Sequence, residues 1–155
     1  MGRKSAAKLK LSRSTGIPGI DIQHNELFAM LNSLLDILEK PDASTDSVIV
    51  SVEELVGAMK SHYSTEENLF LMINFPRIEE HKALHRKLLA QLRKVLKTLP
   101  KNGISGASVL LRVFCDDLID HFAVYDREYS DHIEKLLSLR KKFNISALKA
   151  RALVE

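Results

Sequence analysis

Apolar residues recur at three- and four-residue spacing along four stretches of this chain, and histidines stand in those same stripes. Leu27, Leu31, Leu34 and Leu38 form the first stripe. Val52, Leu55, Met59, His62, Glu66 and Leu69 form the second, so the segment HYSTEE sets a histidine and a glutamate among residues that seek a core. The third runs through Ile78, His81, His85, Leu88, Leu92 and Val95, and the fourth through Leu110, Phe114, Leu118, His121, Tyr125, Tyr129 and Ile133. Pro18, Pro41, Pro76 and the pair Pro100 and Gly103 separate the stretches, because proline and glycine interrupt helices. The spacing predicts helices over about 18–39, 47–71, 77–99 and 105–139. Short connections make neighbouring helices antiparallel, so the expected fold is all-α, an up-down-up-down four-helix bundle. A basic N-terminal arm, 1–16, precedes the bundle, 17–140, and a tail, 141–155, follows it. Leu148 and Val154 predict a short amphipathic helix in that tail.

Burying an imidazole or a carboxylate is costly unless it is paired or bound to metal. If about a third of helical positions face the core, five of six histidines landing there by chance is roughly a one-in-fifty event. A single such histidine reads as hydrogen-bonded core. His24, His62, His81, His85 and His121 as a set do not, since no lysine or arginine shares their stripes. In an antiparallel bundle the start of the first helix, the end of the second, the start of the third and the later half of the fourth share one level. All five histidines therefore converge at one height, and four-residue spacing lays His62 over Glu66 and His81 over His85. A further ligand is not selected by spacing: Asp126 follows His121 by five residues, roughly 140° around an ideal helix, which leaves Tyr125 as good a candidate. His132, about 16 Å beyond His121 along the axis, is too far to join them.

Composition narrows the function. The chain is 155 residues long and 45% hydrophobic, enough for one domain with its own core. A lone cysteine, Cys115, reads as a packed thiol, and no leader or run of eighteen apolar residues is present, so the cytoplasm is expected and membrane insertion is not. Net charge is +3, with the basic excess near the ends in MGRKSAAKLKLSR and LRKKFNISALKAR. Without aromatic residues interleaved in the first of these, no nucleic-acid platform is expected, although the basic arm could dock a protein partner.

The segments GIPGIDIQH, HYSTEENLF, FPRIEEHKALH and DHFAVYDREY carry, in order, a histidine, a His-x3-Glu, a His-x3-His and a His-x4-Asp. In this the chain resembles the hemerythrins, and among them the single-domain bacteriohemerythrins, from about residue 16 to 137. The resemblance implies two iron ions bridged by a solvent-derived oxygen. His81, His85 and His121 would hold one iron, His24 and His62 the other, with Glu66 and Asp126 bridging. The two-histidine iron would keep an open position for dioxygen. Five imidazoles and two carboxylates suit iron, manganese or zinc, so the donors alone do not name the metal. Leu69, Leu118 and Phe122, a turn or less from ligands, are candidates to line the oxygen pocket and equally fit ordinary core, while Asp117 reads either as a carboxylate at the pocket edge or as a solvent-facing acid beside Asp116. Asp117 departs from the family pattern, which has tryptophan there, while Phe70 and Phe75 replace methionine and tyrosine. The implied function is reversible dioxygen binding for storage, delivery or scavenging rather than enzymatic turnover. The alternative is an oxygen- or iron-sensing module acting through a protein partner.

Overall fold

A computed structural model describes residues 14–151 of the chain, with side chains for residues 14–143. Helix α1 is Pro18–Leu38 and α2 is Thr45–Met72. Helical backbone then continues through Ile78–Asp120, a π-turn at His121–Tyr125, and Asp126–Arg151, broken once at Gly103. That break divides it into α3, residues 78–102, and α4, residues 104–151. No strand occurs among the described residues, and the four helices form the all-α bundle that the stripes predict.

The local sequence explains where each helix starts and stops. Pro18 opens α1, where its missing N–H costs nothing. Ser44 caps α2, its hydroxyl accepting from the Ser47 N–H at 3.1 Å. The other end of α2 closes as a Schellman motif around Asn74, whose φ is 49°. There the Phe75 N–H donates to the Phe70 carbonyl at 2.9 Å, the Asn74 N–H donates to that of Leu71, and the Phe70 and Phe75 rings pack 5.2 Å apart. Pro76 then prevents the helix from resuming at once.

Two boundaries differ from expectation. Pro100, expected to end the third helix, is carried inside α3, at the loss of one hydrogen bond. The reversal falls at Gly103, where φ 64° and ψ −168° lie in a region essentially reserved for glycine, costing other residues about 1–3 kcal/mol. The tail is helical to Arg151 as a continuation of α4, because no glycine or proline follows Gly106 to break it. Side chains from residue 144 onward, including Leu148, and residues 1–13 and 152–155, with most of the basic arm and Val154, lie outside the described residues.

The core has two parts. A large cluster includes Leu27, Leu31, Met59, Leu88, Phe114, Leu118 and Phe122, and a small one joins Ile20, Phe70, Phe75 and Tyr129. Along the helices His24 falls between Ile20 and Leu27, Glu66 between Tyr63 and Phe70, and Asp126 between Phe122 and Tyr129, while His85 precedes Leu88. A polar layer is thus sealed by apolar side chains on both sides.

Candidate metal centre

Among the described residues, the buried polar or charged side chains are His24, His62, Glu66, His81, His85, His121 and Asp126, each 2% exposed or less. They meet in one place. The Asp126 carboxylate spans the cluster: Oδ1 lies 3.1 Å from both His81 Nε2 and His121 Nε2, while Oδ2 lies 3.2 Å from His24 Nε2. Glu66 does the same from the other side, with Oε2 at 3.2 Å from His85 Nε2 and 3.5 Å from His62 Nε2, and Oε1 at 3.7 Å from His24 Nε2. Their ligand-type atoms form two overlapping groups that share Glu66. One comprises Glu66, His81, His85 and His121, the other His24, His62, Glu66 and Asp126, each with atoms within 4.8 Å of one another.

Asp126 enters this layer through the π-turn. Its N–H donates to the His121 carbonyl, an i→i+5 bond that replaces the usual i→i+4 link and adds one residue to the turn. Residues 121 and 126 then share a face. Tyr125, which an ideal helix would have put on the core stripe, is left half-buried, and the buried set downstream becomes Asp126 and Tyr129. The sequence carries no cue for this beyond the five-residue gap itself.

The imidazoles are held for coordination. His62 Nδ1 lies 3.0 Å from Gln23 Oε1, and His85 Nδ1 lies 3.0 Å from Glu67 Oε1. With the proton on Nδ1, each Nε2 turns a lone pair to the centre. None of the five Nε2 atoms has a hydrogen-bond partner, and neither do Asp126 Oδ1 and Oδ2 or Glu66 Oε2. So many buried polar atoms without partners do not fit a hydrogen-bonded core but fit bound metal. The Tyr129 hydroxyl donates to Glu66 Oε1 at 2.6 Å, leaving Oε2 for the centre.

Electrostatics agree with a site that expects cations. Burial pulls the His24 imidazole down, but its contacts with Asp126 and Glu66 outweigh this and raise it to about 9. Burial lowers His62 to about 4. Burial and the neighbouring Asp126 push Glu66 up, yet the surrounding histidines bring it down to about 2. Asp126 likewise stays well below the usual carboxylate range, burial being overcome by His121, His24 and His81. Both carboxylates are therefore charged and ready to bind metal near neutral pH.

The family-model match, to the "Hemerythrin HHE cation binding domain", covers residues 15–133. The chain belongs to the hemerythrin family. It is similar to a bacteriohemerythrin of Campylobacter jejuni, 25% identical over 116 residues, which are 75% of this chain and 86% of that protein. It is also similar to a hemerythrin-like protein of Naegleria gruberi, 34% identical over 67 residues, or 43% of this chain and 50% of that one. A hemerythrin domain implies non-haem iron, and the histidine and carboxylate cluster fits a metal site.

Of the four residues named for an oxygen pocket, Leu118 and Phe122 share the large cluster, and Leu69 and Asp117 have other neighbours. Phe122 packs on the His24 ring at 4.3 Å and on Phe28 at 5.2 Å, and Leu118 is buried in the same large cluster. Leu69 instead packs against the small cluster. Asp117 pairs with Lys87 Nζ, 2.8 Å distant, and accepts from Gln91 Nε2 at 2.6 Å. It lines a cavity of about 90 Å³ with Leu84, Lys87, Leu88, Asp120, His121 and Tyr125. Sequence reasoning missed Gln23, Glu67 and Phe28, and it missed Tyr63, whose ring stacks on His85 at 3.7 Å. Gln23 and Glu67 each directly neighbour a stripe residue, which was the available signal.

Proposed function

We propose that this hemerythrin domain binds dioxygen reversibly at a di-iron centre, for oxygen storage, delivery or scavenging, and that it is not an enzyme. The observation that carries the reading is the pair of overlapping buried ligand groups sharing Glu66, with every Nε2 lacking a protein partner. His81, His85 and His121 would hold one iron, and His24 and His62 the other, with Glu66 and Asp126 shared between them. Iron bound by these residues would supply the two electrons that dioxygen takes on binding and returns on leaving. The chain's own residues keep that exchange clean. Phe122 and Phe28 cover the His24 side with apolar surface and exclude water. Gln23 and Glu67 hold the His62 and His85 rings in orientation, and the Tyr129 hydroxyl steadies Glu66. No lysine or arginine enters the layer to compete for the carboxylates.

A cytoplasmic location is part of this proposal. Cys115 is a buried free thiol, raised to about 11 by its burial, which suits a reducing compartment. The test is metal analysis together with an absorption spectrum of the reduced protein before and after air. Two irons per chain, with visible bands that appear in air and vanish when oxygen is removed, are expected. One metal per chain, or a colourless zinc protein, would overturn the reading.

A further inference from the structure

The described part of α4 continues past the bundle. Every residue from 134 to 143 is exposed, ten in succession, whereas Tyr129 one turn earlier is fully buried. Within this stretch Leu136, Leu139 and Phe143 follow the i, i+3, i+7 spacing of one helix face. They are 40%, 42% and 72% exposed, so the stripe lies open. On a helical wheel Arg140 falls on one flank of the stripe and Lys135 and Lys142 on the other. Ten residues thus carry four cations against the single acid Glu134. That excess alone equals the net charge of the whole chain, +3.

An open apolar stripe flanked by cations on a helix that has left the bundle is an amphipathic face with no core to cover it. Charge decides what covers it. A second copy would bring the same cations against themselves, which disfavours self-pairing along this stripe. Nucleic acid would answer the charge but not the leucines and phenylalanine. An anionic lipid surface answers both, with the apolar stripe entering the acyl boundary and the flanking cations at the headgroups. No helix of the described residues is long and apolar enough to cross a membrane, so the segment would lie on the surface and not span it.

We infer that the α4 extension is an interfacial docking helix, which holds the bundle against anionic lipid through Leu136, Leu139 and Phe143. The inference is independent of metal content, so it can be tested on the full chain in any iron state. The chain has no tryptophan, and Phe143→Trp therefore gives a single reporter. Mixed vesicles of phosphatidylglycerol and phosphatidylcholine should shift its emission to the blue and sediment the protein, and pure phosphatidylcholine should do neither. At about 1 kcal/mol for each cation near the surface, Arg140→Glu with Lys135→Glu should weaken partition at least tenfold. Leu139→Ser with Phe143→Ser should weaken it comparably while leaving the melting temperature of the bundle unchanged, since these side chains contribute nothing to the core. Absence of partition or of the blue shift would overturn the inference. So would full partition by the Leu139→Ser, Phe143→Ser variant, which would reduce the effect to bulk charge. Sedimentation velocity showing a wild-type dimer that Phe143→Ser dissolves would overturn it in favour of a second copy.

Discussion

His81 and Asp117 differ in what their polar atoms face. His81 presents Nε2 to Asp126 Oδ1 at 3.1 Å and has no hydrogen-bond partner there. Under the proposed assignment His81→Ala removes one of three imidazoles from an iron. Iron content should fall below two per chain and the melting temperature should drop, because metal binding contributes to folding; full iron with unchanged melting would exclude His81 as a ligand. Asp117 is already satisfied, held below the usual carboxylate range by hydrogen bonds from Lys87 and then Gln91. A depressed folded-state value stabilises the protein above the unfolded value and is lost as pH falls through the folded one. The pair is partly exposed, so Asp117→Leu should cost no more than about 1 kcal/mol at pH 7, measured by urea denaturation. That cost should shrink as pH falls through the acidic carboxylate range. Because the Asp117 carboxylate is already satisfied by Lys87 and Gln91, the oxygenated form should decay at the wild-type rate in this variant. Slower decay would place the carboxylate within reach of bound oxygen.

At the scale of the element, the π-turn is the feature on which the site depends. It acts as a one-residue insertion between His121 and Asp126. Deleting Val124, which is 52% exposed, would leave the two residues four apart, and an ordinary α-turn would then keep them on one face. The deletion should therefore retain iron, with stability equal to or above that of the wild type. Adding an alanine after Val124 instead rotates Asp126 out of the layer and should lose iron. If the deletion loses iron as completely as the addition does, the π-turn has a role beyond register. The same reasoning explains α2, whose Schellman closure sets Phe70 and Phe75 beside the His81 ring at 4.7 and 6.3 Å. A helix ending thereby becomes one wall of the site.

For the whole molecule, the two-part core leaves a polar layer whose unpartnered atoms fit bound metal. Removing iron by chelation leaves unpartnered imidazoles facing charged carboxylates within a few ångströms. A metal at 100 times its dissociation constant adds about 2.7 kcal/mol of stability. For a chain of this size that corresponds to roughly 5–10 °C. Chelated protein should therefore melt at least that much lower while remaining helical by circular dichroism, since both apolar clusters persist. Equal melting with and without iron would mean that the layer is satisfied without metal.

The number of helices, their antiparallel order and the convergence of five histidines with Glu66 were legible in the sequence. They depend on periodicity and chain punctuation, which act locally and repeat along each helix. Asp126 was legible only through family resemblance, because an α-helical wheel puts Tyr125 on its stripe. Only the folded backbone, by inserting the i→i+5 turn, exchanges one for the other. Gln23 and Glu67 escaped the periodic reading because they stand one residue off a stripe, and their partners lie on neighbouring helices 39 and 18 residues away. Leu69 and Asp117 were assigned to a pocket by nearness in sequence. In the structure Leu69 packs with the small cluster and Asp117 is held by Lys87 and Gln91, since a side chain's surroundings are set by the helices that pack against its own.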